Sequence, residues 1–144
     1  MPLHKHLIIR AEVEQPFVNV DETEAWLFAL ANEIGMNITK HGGPHVDYVE
    51  KEGNCGIAGM VMIETSHISI HCWDKEDPPL VQMDVYSCAE YDEGVVLAFL
   101  SELEPTDVQW MLIDRKDDLK VILPKEEEPQ NPVMPQIDPL GLSY

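Results

Sequence analysis

Ser66-His67-Ile68-Ser69-Ile70-His71, inside the longer stretch Met60 to Trp73, alternates polar and apolar residues. A period of two marks a strand, with 67, 69 and 71 projecting to one face and 66, 68 and 70 to the other. Ser66 and His71 are therefore out of line on a flat strand. A turn or bulge near 65–66 would change that geometry. A neutral imidazole takes or gives a proton near neutral pH, so Ser66, just ahead of two histidines, is a candidate reactive centre. The plainer reading makes the serine a solvated or hydrogen-bonded group and His67 and His71 structural.

Working outward, Ile57 to Ile63 and His67 to Trp73 read as strands, and Asp74 to Pro79 as the polar turn that follows. Leu80 to Ser87 alternates again, with Val81, Met83 and Val85 on one face. Cys88 ends that strand. A free cysteine often serves as a small core hydrophobe, but at a strand end it is placed to supply a proton or a nucleophile. Upstream, His4 to Val13 reads as a first strand, followed by a turn at Gln15-Pro16. Asp21 with Glu24 three residues on has the form of a capping box. Leu27, Leu30, Ala31 and Ile34 then recur at helical spacing up to a Gly35 stop. Met36 to Lys40 reads as a short strand, broken by Gly42-Gly43-Pro44, and His45 to Val49 as another strand or an extended loop. Asp92 is expected to cap a second helix through Leu103, and Val108 to Ile113 to form a last strand. This succession predicts an α+β protein: a two-layer α/β sandwich, with a mostly antiparallel sheet carrying two helices on one face.

The chain has 144 residues and is 44% hydrophobic, enough for one domain with a core. The domain is expected over 1–118. From Leu119 the composition shifts: Lys125-Glu126-Glu127-Glu128 is a charge run, and prolines recur at 124, 129, 132, 135 and 139. Residues 119–144 are expected to be a flexible tail, in which Ile137, Leu140, Leu142 and Tyr144 offer apolar anchors. No apolar run reaches the roughly 18 residues of a membrane span, and Met1 to His6 lacks the features of a signal peptide, so a cytoplasmic protein is expected. A net charge of -18 repels nucleic acid and favours cationic ligands such as an amine or a sulfonium. Cys55, Cys72 and Cys88 are widely spaced and read as free thiols. His41 with His45, and His67 with His71, have the spacing of a helical chelate, but neither segment has a helical pattern, so no metal site is expected.

The run from Gly56 to Trp73, centred on Ser66-His67-Ile68-Ser69-Ile70-His71, resembles the core of the small, prokaryote-type S-adenosylmethionine decarboxylases. Met83-Asp84-Val85-Tyr86-Ser87-Cys88 and the opening His6-Leu7-Ile8-Ile9 extend the resemblance over about residues 4 to 115. The resemblance implies a self-cleaving proenzyme. Ser66 attacks the Thr65 carbonyl, the chain splits between them, and Ser66 becomes a pyruvoyl group that holds the substrate amine as a Schiff base. It further implies His71 as a processing residue, Cys88 as proton donor, S-adenosylmethionine as substrate for spermidine synthesis, and a homodimer with pockets near its interface. Glu64 is a candidate substrate contact, and Tyr48 a candidate stacking partner for adenine. The chain departs from the family pattern in having Thr65 where a glutamate precedes the serine, Ala58 where a hydroxyl residue stands eight places before it, and Glu52 in place of the adenine-stacking aromatic. Two alternatives remain open: a pyruvoyl-dependent decarboxylase of another cationic amino acid, ornithine or arginine, and a non-cleaving homologue that acts as a binding or regulatory subunit.

Overall fold

A computed structural model describes residues 3–124. Its core is a seven-stranded antiparallel sheet in the order β2-β3-β4-β5-β1-β6-β7. In chain order the elements are β1 (Lys5–Val13), α1 (Val20–Glu33), β2 (His45–Val49), β3 (Gly56–Ile63), β4 (Ser66–Trp73), β5 (Leu80–Ser87), α2 (Glu93–Leu100), β6 (Pro105–Asp114) and β7 (Lys120–Leu123). A short 3-10 turn, Ser101–Leu103, continues α2. The architecture is the α+β sandwich that the alternation predicts.

Strand alternation sorts the sheet into two unlike faces. Leu7, Ile9, Ala11 and Val13 of β1 are buried, as are Ile68, Ile70 and Cys72 of β4 and Val81, Met83 and Val85 of β5. They form one core with Leu27, Leu30 and Ala31 of α1 and Val96 and Leu100 of α2. Burial of this apolar surface is the main stabilising term, at roughly 25 cal/mol per Å². The intervening residues lie on the opposite, uncovered face, where Ile8, Met60 and Met62 are exposed. α1 packs on β2 and β3. A β-carbon on Gly59 would sit 3.1 Å from Val46 Cγ2 and 3.3 Å from Leu27 Cδ1, so the bare glycine lets the helix settle closely on these strands.

Three local expectations need correction. The first helix is capped by Asn19, whose side chain accepts from the Glu22 amide, rather than by Asp21, which lies inside the first turn. Met36 to Lys40 is not a strand but contributes only the isolated bridge of Ile38 to Ile63. The backbone there meets the end of β3 irregularly, with Thr39 N bonding Met62 O and Glu64 N bonding Asn37 O, and then closes a turn in which Gly42 N bonds Thr39 O. Finally, the sheet extends beyond residue 118, because Lys120–Leu123 pairs with β6 across a register shift. The rest of the expected tail, with its apolar anchors, lies outside the described residues. Gly35 ends the helix region with φ +78°, as expected of a left-handed stop.

Leu27 is fully buried between α1 and the sheet. Leu27→Ala is expected to destabilise the protein by about 2–5 kcal/mol, measured by denaturant unfolding.

Candidate active site

β3 and β4 are joined by a two-residue turn, Glu64-Thr65, so that Ile63 pairs directly with Ser66. Ser66 leaves this turn with φ +152°, a region that residues with side chains rarely occupy. Strain of this kind concentrates at functional sites, held there by the surrounding structure. Here the restraint is visible. The Thr65 carbonyl accepts a hydrogen bond from the Cys88 backbone N–H at 3.1 Å. The Thr65 hydroxyl lies 2.8 Å from Ser87 Oγ and 3.3 Å from Met36 Sδ. Ser87 Oγ in turn accepts from Ala89 N at 2.9 Å. The Thr65–Ser66 peptide is thus held at its carbonyl and its threonine side chain, while the serine backbone is strained. The Cys88 N–H is also placed to stabilise negative charge on the Thr65 oxygen if its carbon becomes tetrahedral.

Beside Ser66, on the uncovered face, lies a polar network drawn from four segments. Ser66 Oγ is 3.2 Å from Nδ1 of His67, and His67 Nε2 is 3.0 Å from Asp84 Oδ2. The same carboxylate oxygen is 2.7 Å from His6 Nε2, and Ser69 Oγ donates to the other. Arg115 approaches His6 Nδ1 at 3.3 Å, and its guanidinium lies over the Tyr86 ring. Burial would raise the Asp84 pKa, but hydrogen bonds from His6, Ser69 and His67 outweigh it and bring the carboxyl down to about 2. The group is therefore a fixed anion at any physiological pH.

The sequence singles out neither His6 nor Asp84, and the site expected from it does not include His67. A partial signal existed, since Asp84 occupies a polar position of the alternating strand that follows β4 directly. Only the pairing of β4 with β5, Ser69 opposite Asp84, brings it to His67. His6, His67 and Asp84 are also the one group of three among the described residues whose ligand atoms lie close enough to hold a metal ion. The sequence pairs do not contribute as pairs: His45 Nε2 bonds the His41 backbone oxygen at 3.0 Å, and His71 lies well along the strand from His67.

The other expected site residues are spread over the sheet. Cys88 is exposed and adjoins the Thr65 carbonyl through its backbone. Glu64 sits in the turn beside Thr65, exposed, and accepts from Asn37 Nδ2 at 3.2 Å. His71 is five positions from Ser66, about 16 Å along an extended strand. Its register neighbours are Ala58 and Gln82. Its ring stacks on Trp73 at 3.9 Å and its Nε2 is buried without a hydrogen-bond partner among the described residues. Desolvation lowers its pKa, which favours the neutral imidazole. A cleft of about 750 Å³ on this face joins His71, Trp73 and Ala58 to His6, Ser69 and Asp84. Tyr48 is not part of it. The register pairs it with Ile57, on the helix-covered side, and its hydroxyl donates to Asp74 at 2.8 Å. That bond, with burial and the Asp74 charge, pushes the phenol up to about 12.

A single-layer antiparallel sheet backed by two helices defines a two-layer α/β sandwich, here with a strained serine at a β-hairpin. Comparison with known proteins gives the family. The model of the S-adenosylmethionine decarboxylase family matches residues 9–116, and the chain belongs to that family. An S-adenosylmethionine decarboxylase proenzyme of Archaeoglobus fulgidus is 28% identical over 115 residues, covering 77% of this chain and 86% of the relative. The proenzyme of Pyrococcus furiosus is 30% identical over 87 residues, covering 59% of this chain and 57% of the relative. That of Pyrococcus horikoshii is 35% identical over 60 residues, covering 40% and 42%. The crystal structure of the adenosylmethionine decarboxylase from Aquifex aeolicus shares the fold, with TM-score 0.60 and 20% identity over 79% of this chain and 91% of that one.

The depressed Asp84 carboxyl has a consequence for stability. A carboxyl held below its unfolded value stabilises the native state above the unfolded pKa of about 4, and that contribution is lost as pH falls towards about 2. The stability difference between the wild type and Asp84→Asn, from urea unfolding at a series of pH values, is expected to shrink as pH falls from about 4 towards about 2.

Proposed function

We propose that this chain is a self-cleaving decarboxylase proenzyme that splits between Thr65 and Ser66, acquires a pyruvoyl group from Ser66, and decarboxylates S-adenosylmethionine to supply aminopropyl groups for spermidine. The observation that carries the reading is the strained Ser66 backbone next to a carbonyl that already accepts the Cys88 N–H at 3.1 Å. Attack of Ser66 Oγ on the Thr65 carbonyl carbon breaks the Thr65–Ser66 C–N bond and leaves an ester, with the serine nitrogen gaining a proton. Loss of the Ser66 α-proton then expels the Thr65 carboxylate. Hydrolysis by water releases ammonia and leaves a ketone at the head of the chain that starts at 66. The residues present fit this group because it is built from Ser66 itself. When formed, the pyruvoyl group supplies an electron sink for the carbon that loses CO2. The Cys88 side chain, exposed at the same turn, is the group placed to return a proton to that carbon.

The reading also assigns a homodimer. The uncovered sheet face carries exposed Ile8, Met60 and Met62, and a His71 ring nitrogen that finds no partner among the described residues. A second copy packed on this face would cover the apolar residues and give His71 a route to the Ser66 of the other chain, which its own strand does not offer. Ala58 stands opposite His71, so the hydroxyl that is missing there bears on His71 rather than directly on Ser66. The net charge of -18 suits a sulfonium or ammonium substrate and, with no membrane-length apolar helix among the described residues, supports a cytoplasmic enzyme with no nucleic-acid partner.

Intact mass after purification tests the split. The wild type is expected as two fragments, 1–65 and a pyruvoyl-headed 66–144, and Ser66→Ala as one full-length species without activity. A wild type that stays whole after prolonged incubation would support a non-cleaving subunit instead. Release of CO2 from labelled S-adenosylmethionine, with ornithine and arginine as parallel arms, then assigns the substrate.

A further inference from the structure

We propose that His67 is the catalytic base of the self-cleavage: its Nδ1 takes the Ser66 hydroxyl proton while Asp84, braced by His6, holds the ring. The inference rests on the self-cleavage proposed above and assigns a residue to its first step.

The protonation pattern follows from the partners. A guanidinium has only donors, so Arg115 beside His6 Nδ1 leaves that nitrogen as an acceptor and places the His6 proton on Nε2, facing Asp84. An ionised carboxylate only accepts, so His67 also presents Nε2–H to Asp84 Oδ2. In a neutral ring the other nitrogen is then bare. That nitrogen, Nδ1, is the one 3.2 Å from Ser66 Oγ. Serine, imidazole and carboxylate thus stand in hydrogen-bond series, with the base acting through Nδ1 and oriented through Nε2. Neighbouring residues of a strand normally face opposite ways. The +152° φ at Ser66 is what lets this hydroxyl meet the ring of the very next residue.

The same pattern argues against a metal ion at His6, His67 and Asp84. Metal binding needs a bare Nε2 on His6, which would put a proton on Nδ1, against the Arg115 guanidinium. In the proposed step His67 Nδ1 accepts the Oγ proton as Oγ bonds to the Thr65 carbonyl carbon. The imidazolium then returns that proton to the Ser66 nitrogen as the C–N bond breaks. The charged ring is stabilised between these events by Asp84. No outside reactant is consumed.

The groups that face His67 are His6 from β1, Asp84 and Tyr86 from β5, and Arg115 through His6. The test follows splitting of freshly synthesised full-length chain by intact mass from pH 5 to 9, with melting temperatures confirming folded variants. His67→Ala is expected to split at least about a hundredfold more slowly and to be accelerated by added imidazole. Asp84→Asn is expected to slow splitting and to move the acid limb of its pH profile to lower pH. A residue with only a structural part would slow splitting equally at every pH. Wild-type rates for folded His67→Ala, or an unmoved profile in Asp84→Asn, would overturn the role of His67 while leaving the self-cleavage intact. Splitting that stops with a chelator and returns with zinc would overturn it in favour of a metal. A wild type that never splits removes the underlying reading as well.

Discussion

The antiparallel register of β4 against β5 is the constraint on which the site depends. It sets Ser66 opposite Ser87, His67 opposite Tyr86 and Ser69 opposite Asp84. A slip of one residue would turn every one of these side chains to the other face of the sheet. Ile68 and Ile70 would then meet solvent while His67 and His71 entered the core. The apolar half of the alternation therefore secures the polar half. The burial that holds Ile68 and Val85 under the helices is also what aims His67 and Asp84 at each other on the uncovered side.

One carboxylate organises that side. Asp84 receives hydrogen bonds from His6, His67 and Ser69, which belong to β1 and β4 on either flank of its own strand. Its partners satisfy a charge that would otherwise be costly to shield from water. The hairpin end is held differently, by short contacts around one peptide: the Cys88 amide on the Thr65 carbonyl, and the Thr65 hydroxyl between Ser87 and Met36. Thr65 has thereby a definite place. Its side chain turns inward to Ser87, and the carboxylate of the neighbouring Glu64 turns outward to Asn37.

Much of the fold was legible because its strands alternate cleanly and its first helix repeats at i, i+3 and i+4. The misreadings have specific causes. Asp21 and Glu24 have the spacing of a capping box, but the chain enters the helix two residues earlier, where Asn19 reaches the Glu22 amide. β7 has four residues between an acidic turn and a proline, too short for periodicity to reveal, and pairing with β6 is what makes it a strand. Tyr48 is an aromatic residue near the expected place for a stacking partner, yet its strand parity puts it on the helix-covered side, tied to Asp74.

From the sequence alone came the strands on either side of Ser66, the strand that ends at Cys88, the two-layer architecture and the family resemblance. These follow from local chemistry: period-two burial, turn residues and a short run of specific side chains. Which histidine meets Ser66 was a matter for the tertiary structure alone. His6 is far from Asp84 in the chain and reaches it only because β1 inserts between β5 and β6. His67 turns towards Ser66 only because the backbone leaves the hairpin at a positive φ. Long-range strand insertion and a single strained dihedral have no periodic trace in the chain, so the histidine and carboxylate beside the serine emerge only once the sheet is assembled.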